Sequence, residues 1–201
     1  MGNWGKAGRG FAGYSFVQMR RYNPSEEDDL REFVLSTSRV SRVVEGGKRY
    51  SYQVLSVIGD GNGHFGFAVG RAAEAPDAMR KASARARRRM LGVPLIRGTI
   101  SHEVEGRFSS ARVILKPAAP GTGIIAGGTV RAICEAVGIQ NILTKSLGSN
   151  NPHNLAKAMV DAFSKLRTVS ETAKLRGKKF SEIIEKEKKV SEQQKQSEIS
   201  T

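Results

Sequence analysis

The chain has 201 residues, a net charge of +14 and a sequence pI near 10.3, with 39% hydrophobic and 6% aromatic residues. This length fits one or two small domains, and the strong positive charge predicts a polyanionic partner, either nucleic acid or an anionic membrane surface. No apolar run approaches the roughly 18 residues of a membrane span, no signal-peptide pattern opens the chain, and the single cysteine excludes an internal disulfide. We therefore expect a cytoplasmic location without a membrane span.

Residues 1–29 are predicted to be a disordered arm, because glycine, aromatic and basic residues alternate there without a usable period. The positive charge lies further along the chain. Residues 33–98 contain twelve Lys or Arg against four Asp or Glu, so +8 of the net +14 falls in the first folded unit. Contact with a polyanion is expected in that unit.

Residues 30–94 are predicted to form a β-β-β-α domain, with strands at 33–45, 50–58 and 64–72 and a helix at 76–91. The Asp-Gly and Asn-Gly pairs at 60–63 supply the positive φ angles of a tight turn between the second and third strands. Pro76 suits the first helical position, and Asp77 suits the positive end of the helix dipole. The buried face of the helix is predicted to carry Met79, Ala82, Ala86 and Met90.

Six cations fall within ten residues of this predicted helix: Arg80, Lys81, Arg85, Arg87, Arg88 and Arg89. Because like charges this close repel one another, a folded chain tolerates them most easily opposite phosphates, and we predict an RNA-docking surface. A second basic group, which flanks the Gly46-Gly47 turn of the first hairpin, is predicted to contact RNA as well. Its members are Arg39, Arg42, Lys48 and Arg49.

Residues 95–168 are predicted to form a second domain of β-β-α-β-α order, and 169–201 a charged flexible tail. The first two strands, at 99–104 and 111–117, are expected to turn about Glu105-Gly106. A glycine turn at 120–128 leads into a helix that stops at Gly138, a strand follows at 141–147, and Asn151-Pro152 begins a last helix. The overall class is therefore α+β, with a two-layer α/β sandwich following the first domain.

Several patterns that carry chemistry elsewhere are incomplete here. Gly121-Thr122-Gly123 begins a loose dinucleotide fingerprint, but no acidic residue follows about 20 positions later to hold a ribose, so no cofactor is expected. Phe65-Gly66-Phe67 matches only the centre of an RNA-stacking motif, and core packing of both rings is favoured. The histidines and Cys134 lack the spacing of a metal site or of a nucleophile and its base. We expect no enzymatic activity.

In combination, four groups of residues resemble the bacterial-type family of small-subunit ribosomal protein five. They are Arg39-Val40-Ser41 with Gly46-Gly47, Gly59-Asp60-Gly61-Asn62-Gly63 with Gly66-Phe67, Gly121 to Gly128 with Arg131-Ala132, and Gly148-Ser149-Asn150-Asn151-Pro152 with Asn154. The resemblance covers about residues 30–179. It implies a first domain similar to a double-stranded-RNA-binding fold, and small-subunit ribosomal RNA as the partner where the head and body of the subunit meet.

The resemblance also implies roles for particular positions. Val40, Ser41, Gly46 and Gly47 match the loop that reaches the head RNA. Gly123 and Arg131 match an interface with ribosomal protein four that tunes decoding accuracy, and the glycine turn around them includes Gly121, Gly127 and Gly128. Ribosomal protein eight is a further implied neighbour, and mRNA where it enters the subunit is another candidate partner.

Three alternatives stay open at this point. A bacterial and an organellar ribosome fit the sequence equally. A free-standing RNA-binding regulator or RNA chaperone would share the basic helix, but it gives no reason for the glycine turn of the second domain. An enzyme using a kinase-like second domain would need to bind nucleotide.

Overall fold

The computed structural model describes residues 21–22 and 29–177. The strands are β1 (Arg21–Tyr22), β2 (Arg31–Val44), β3 (Gly47–Gly59), β4 (His64–Ala72), β5 (Met90–Gly92), β6 (Val104–Phe108), β7 (Ala111–Pro117), β8 (Ile124–Ile125) and β9 (Ile142–Gly148). The helices are α1 (Ala75–Arg87), α2 (Gly128–Val137), α3 (Pro152–Ser164) and α4 (Val169–Leu175). One sheet has the order β1-β5-β4-β3-β2 and the other β6-β7-β9-β8, which confirms the predicted α+β class.

Small residues bring α1 close to one face of the first sheet. The buried side chains of the helix are Ala78, Ala82 and Ala86. On β4, a Cβ at Gly70 would lie 2.0 Å from the carbonyl oxygen of Ala78, and a Cβ at Gly66 would lie 2.3 Å from that of Ala86. The prediction that Met79 faces the core is wrong, since it is 39% exposed and the smaller Ala78 occupies the contact.

Helix α1 ends at Arg87, four residues before its predicted end at residue 91. Met90 and Leu91 are adjacent and both buried, an arrangement that a strand achieves by placing them on opposite faces. Strand β5 accordingly pairs with β4 at Phe65↔Leu91 and with β1 at Tyr22↔Met90. The predicted disordered arm therefore does not hold at Arg21–Tyr22, which forms an edge strand.

The hairpin of the second sheet turns at Ser109-Ser110, where Ser109 has a φ of +54°, and not at the predicted Glu105-Gly106. Gly106 instead lies within β6 beneath α3, and a Cβ there would be 2.1 Å from the carbonyl oxygen of Ala158. The glycine thus marks the close approach of a helix. Strand β8, inside the predicted glycine turn, pairs in parallel with β9 at Ile124↔Ile142 and was not predicted.

The predicted helix ends of the second domain are confirmed. Gly138 has a φ of +88° and closes α2, and the Asn151 side chain accepts a hydrogen bond from His153 N at 3.0 Å to begin α3. The tail predicted to be flexible from residue 169 begins instead with helix α4, whose first turn is capped by a capping box of Thr168 and Glu171. The rest of the predicted flexible tail, from residue 178 onwards, lies outside the described residues. No helix among the described residues has the length and apolarity that a membrane crossing requires.

One hydrophobic core connects the two sheets. Phe65 and Val57, from the sheet face opposite α1, are buried together with residues of α2 and α3. The rings of Phe65 and Phe163 meet edge to face, with centroids 5.4 Å apart at 76°. Phe67 is partly buried against the same core, so the prediction that these phenylalanines pack in a core is confirmed. The first sheet is therefore covered on both faces.

The turn between β3 and β4 docks onto the end of α2 through its backbone. Gly61 N donates to the carbonyl oxygen of Ala136 at 3.1 Å, and Gly63 N donates to that of Val137 at 2.8 Å. Both glycines have positive φ, +70° and +95°, as the turn residues predict. These bonds satisfy carbonyl groups that a helix end otherwise leaves without partners. We call this contact the glycine joint.

The glycine joint has no room for side chains. A Cβ at Gly59 would lie 2.0 Å from the carbonyl oxygen of Ala136, and a Cβ at Gly138 would lie 1.9 Å from that of Gly61. The Asp60 carboxylate organises the turn by accepting hydrogen bonds from the backbone N–H groups of Asn62 and His64, at 2.8 and 3.0 Å. Two segments distant in sequence are thus held in van der Waals contact, backbone against backbone.

We expect Gly59→Ala to lower the free energy of unfolding by about 1–3 kcal/mol, the usual cost of overpacking, because the added methyl must displace α2. Gly128→Ala is the matched control, since Gly128 begins the same helix, lacks a positive φ and has no atom within 4 Å of an added Cβ. Urea unfolding followed by circular dichroism measures both. Equal midpoints for the two variants would contradict the proposed tightness of the joint.

Candidate nucleic-acid interface

The six predicted cations at and beyond α1 are all exposed. Two of them bond within the chain: the Arg80 guanidinium pairs with Asp77 at 2.6 Å, and that of Arg85 donates to the carbonyl oxygen of Val69 at 2.9 Å. The other four have neither an ion pair nor a side-chain hydrogen bond with the residues that the structure describes. They are Lys81, Arg87, Arg88 and Arg89.

The helix dipole explains part of this charge. Arg85 and Arg87 occupy the last turn of α1, where a cation typically gains about 0.3–1 kcal/mol from the negative helix end. Lys81 lies in the middle of the helix and gains little from this effect, since the dipole acts mainly within the terminal turns. The remaining repulsion is not offset by any ion pair among the described residues, so this surface is suited to an anionic partner.

The hairpin of β2 and β3 projects beyond the rest of its sheet. Strand β3 pairs with β4 only from Tyr52 to Gly59, whereas it pairs with β2 as far as Val44↔Gly47. Each strand thus continues about 17 Å past the sheet as a two-stranded ribbon, given about 3.4 Å per residue. We call residues 40–51 the ribbon. The chain turns at Glu45-Gly46, so Gly47, Lys48 and Arg49, predicted as loop, belong to the strand.

A left-handed residue allows the ribbon to turn within two residues. Gly46 has a φ of +89°, the conformation that the third position of a type II turn requires. No atom lies within 4 Å of a Cβ built on Gly46 or Gly47. These glycines are therefore needed for backbone conformation, and the tip around them is open to a partner.

The ribbon and its base present cations on both faces. Arg39 stacks over the ring of Tyr50 at 4.0 Å, and Lys48 shares that face by the alternation of the strand. Ile58, at even spacing from Tyr50 on β3, packs with Ala86, so this is the face that carries α1. The Arg39 and Lys48 side chains therefore lie on the same side of the sheet as the basic helix.

The opposite face of the ribbon places two like charges directly across from each other. Arg42 and Arg49 are Cα partners in the ladder, and neither has an acidic partner among residues 29–177. Like charges at such positions destabilise a strand pair by roughly 0.2–1 kcal/mol. An anion bound between the two guanidinium groups would remove this repulsion, and phosphate oxygens match guanidinium geometry well.

The glycine turn of the second domain is held by side chains. The buried Asn141 Oδ1 accepts hydrogen bonds from the N–H groups of Gly121 and Gly123, each at 3.0 Å. The Arg131 guanidinium of α2 donates to the carbonyl oxygen of Ile124 at 2.8 Å. Arg131 thus bonds to the residue that follows Gly123, and the two positions singled out by sequence lie close together in the fold.

The glycines of this turn face open space. No atom lies within 4 Å of a Cβ built at any of the four positions Gly121, Gly123, Gly127 or Gly128. These glycines therefore do not serve a close approach to another described part of the chain. Gly121 and Gly123 are needed for their φ angles of +93° and +74°, and the surface is open to a partner molecule.

The described residues include no group of three His, Cys, Asp or Glu placed to hold a metal ion. Burial raises the pKa of the Cys134 thiol to about 12, so it is a poor nucleophile. Burial, and then nearby Lys157, lowers the pKa of His153. His64 Nδ1 lies 2.6 Å from Asp60 Oδ2 within the glycine joint, where both side chains serve the turn.

The first of the two α+β domains carries exposed cations that have no ion pair within the described part of the chain, and clustered cations of this kind are typical of RNA-binding proteins. Residues 30–94 match the family model described as ribosomal protein S5, N-terminal domain, and residues 106–176 match that of the S5 C-terminal domain. The chain belongs to the ribosomal protein S5 family.

Curated relatives agree with this assignment, and each is named small ribosomal subunit protein uS5. The protein of Syntrophobacter fumaroxidans is 54% identical over 159 residues, which is 79% of this chain and 96% of the relative. That of Thermotoga neapolitana is 52% identical over 149 residues, covering 74% and 84%. That of Rhodopirellula baltica is 48% identical over 175 residues, covering 85% and 99%.

Family membership establishes the general role of the chain. It is a structural, RNA-binding component of the small ribosomal subunit and not an enzyme, as the sequence predicts. Sequence reasoning nevertheless missed two residues of the candidate surfaces. Tyr50 is 52% exposed beneath Arg39, and Asn141 is buried beneath the glycine turn. The signal for Tyr50 was its position beside Arg49 in a predicted basic hairpin.

We expect Arg49→Gln to slow amide hydrogen exchange in the ribbon of the free protein by up to about fivefold, because it removes the repulsion with Arg42. Lys48→Gln is the control, since Lys48 faces Val43 across the ladder. High salt should shrink the difference by screening the two charges. If both variants exchange alike at low salt, the repulsion is unimportant.

Proposed function

We propose that the basic surface of α1 and the ribbon bind small-subunit ribosomal RNA where the head and body of the subunit meet. The observation that supports this most directly is the set of cations that have no ion pair among the described residues, both at α1 and across the ribbon at Arg42 and Arg49. Contacts to phosphate give affinity and fix the position of the protein with little base readout. The ribbon, from Val40 and Ser41 at its base to Gly46 and Gly47 at its tip, reaches the head RNA.

The glycine turn has a different role in this proposal: it contacts ribosomal protein four and so contributes to decoding accuracy. Its glycines at 121 and 123, which leave open space where side chains would be, suit a closely approaching protein. Ribosomal protein eight is a second protein neighbour, and mRNA passes near the chain where it enters the subunit. The subunit resides in the bacterial cytoplasm.

The fold offers a route by which RNA binding and protein contact are kept in a fixed relation. Helix α2 begins beside the glycine turn and ends at the glycine joint with the first domain. At 1.5 Å per residue its ten residues span about 15 Å. A partner that shifts the glycine turn therefore acts against a rigid helix seated on the RNA-binding domain, and it can bias the balance between subunit conformations.

Replacing Lys81, Arg87 and Arg88 with Gln should weaken binding to a small-subunit rRNA transcript. The slope of the logarithm of the binding constant against the logarithm of salt concentration should become shallower by about 2 to 3. Arg85 is left unchanged because its bond to Val69 supports the fold. The control carries the same loss of charge elsewhere, as Lys145→Gln, Lys174→Gln and Arg176→Gln. Filter binding across a salt series measures both. If the salt dependence of binding becomes equally shallow in the two triple variants, binding depends on net charge and the proposed contact at the α1 surface is refuted.

Gly123→Arg should change stop-codon readthrough by about fivefold, the lower range of ordinary coupling between sites, while rRNA binding stays within about twofold. The arginine would project into the open space where the protein partner is placed. Gly123→Ala is the control, because it shares the strain of a +74° φ without the bulk. Readthrough that is unaltered by the arginine, or altered equally by the alanine, would refute the protein contact.

A further inference from the structure

We propose that Asn141 is a positioning residue for decoding accuracy: its buried amide oxygen holds the glycine turn in the shape that its protein partner recognises. The inference rests on the proposed function, in which that turn contacts a protein. It adds a residue that has no access to the partner itself, since Asn141 is only 7% exposed.

Asn141 and the next residue, Ile142, each form a hydrogen bond with the backbone of Gly123. Asn141 Oδ1 accepts the N–H of Gly123 at 3.0 Å, and Ile142 N donates to the carbonyl oxygen of Gly123 at 3.1 Å. The same Oδ1 accepts the N–H of Gly121 at 3.0 Å. One side-chain atom thus fixes two alternate amides of the turn, while strand β9 begins at the next residue.

The turn depends on this acceptor because its own residues supply little order. Gly121 and Gly123 both have positive φ and no packing around a Cβ position, so neither steric contact nor backbone preference selects their conformation. Within the turn, the backbone adds a hydrogen bond from Thr122 N to the carbonyl oxygen of Ala119 at 3.2 Å. Without the Asn141 oxygen, the amides of Gly121 and Gly123 would have to find other partners.

Asn141 is itself well fixed. Its backbone N–H donates to the carbonyl oxygen of Gly98 at 3.2 Å, and it immediately precedes the buried Ile142 of β9. On the far side of the turn, Arg131 holds the carbonyl oxygen of Ile124 at 2.8 Å. The segment 121–124 is therefore held between the buried side-chain amide of Asn141 and the exposed guanidinium of Arg131, and the loss of either hydrogen bond can change its shape.

The experiment compares two substitutions of Asn141, one that removes the acceptor oxygen and one that keeps it, with a matched control and a reference variant. Asn141→Leu keeps the approximate size and removes the oxygen. Asn141→Asp keeps an oxygen able to accept both N–H groups and is the rescue variant. Thr144→Val is the matched control: it removes a hydrogen bond to the nearby Ile125 carbonyl oxygen at 3.0 Å but does not touch Gly121 or Gly123. Gly123→Arg serves as the reference for a direct disturbance of the surface.

Two readouts separate structure from function. Amide hydrogen exchange in the purified full chain reports the two glycine N–H groups, and stop-codon readthrough in cells relying on the variant reports accuracy. We expect Asn141→Leu to speed exchange at both glycines by about tenfold, the loss of a typical net hydrogen bond, and to alter readthrough in the same direction as Gly123→Arg. Asn141→Asp should reverse most of both effects, and Thr144→Val should produce neither.

The outcomes distinguish this inference from the function on which it rests. If Gly123→Arg alters readthrough but Asn141→Leu does not, despite faster glycine exchange, the positioning role is refuted and the protein contact stands. An equal effect of Thr144→Val refutes it too. If Gly123→Arg has no effect, the protein contact and the inference both fail. Should Asn141→Leu not assemble into subunits, Asn141→Ser replaces it, because a serine hydroxyl is too short to reach both amides.

Discussion

The orientation of one domain on the other depends on backbone packed against backbone at the glycine joint. The N–H groups of Gly61 and Gly63 complete the hydrogen bonding of the last turn of α2, and the glycines at 59 and 138 leave no gap for a side chain. Such a contact resists sliding more than side chains do, since backbone positions cannot change rotamer. The shared core around Phe65 and Phe163 adds side-chain packing between the two domains to this backbone contact.

The basic side chains of the surface fall into two groups: some bond to groups of the chain, and others have no ion pair among the described residues. Arg80, Arg85 and Arg131 bond to groups of the chain itself, and their loss would disturb local structure. Arg42 and Arg49, by contrast, repel each other across the ribbon. The free protein thus retains an electrostatic cost, which the proposed RNA contact would relieve, and RNA bound in this way would stabilise the folded chain by mass action.

Sequence reasoning succeeded where local rules decide the structure. The caps at Gly138 and Asn151, the exposed basic positions and the alternation of the first strands follow from neighbouring residues. It failed where the cause lies far away in sequence. Gly106 was taken for a turn because its need for space comes from α3, and Asn141 was overlooked because only the fold brings its amide beneath the glycine turn. Met90 belongs to a strand and not to the predicted helix, because Met90 and Leu91 are buried on opposite faces of the sheet.

Covering both faces of the first sheet has a consequence for what kind of molecule can be recognised. With α1 on one side and the second domain on the other, the body of the sheet has no platform on which nucleobases can stack. Among the described residues, the charged helix α1 and the two-stranded ribbon stay accessible, and in the proposed complex they contact the sugar–phosphate chain of the RNA. On that proposal, the RNA can exchange one base pair for another over evolutionary time and still fit this protein, provided that its three-dimensional course is preserved.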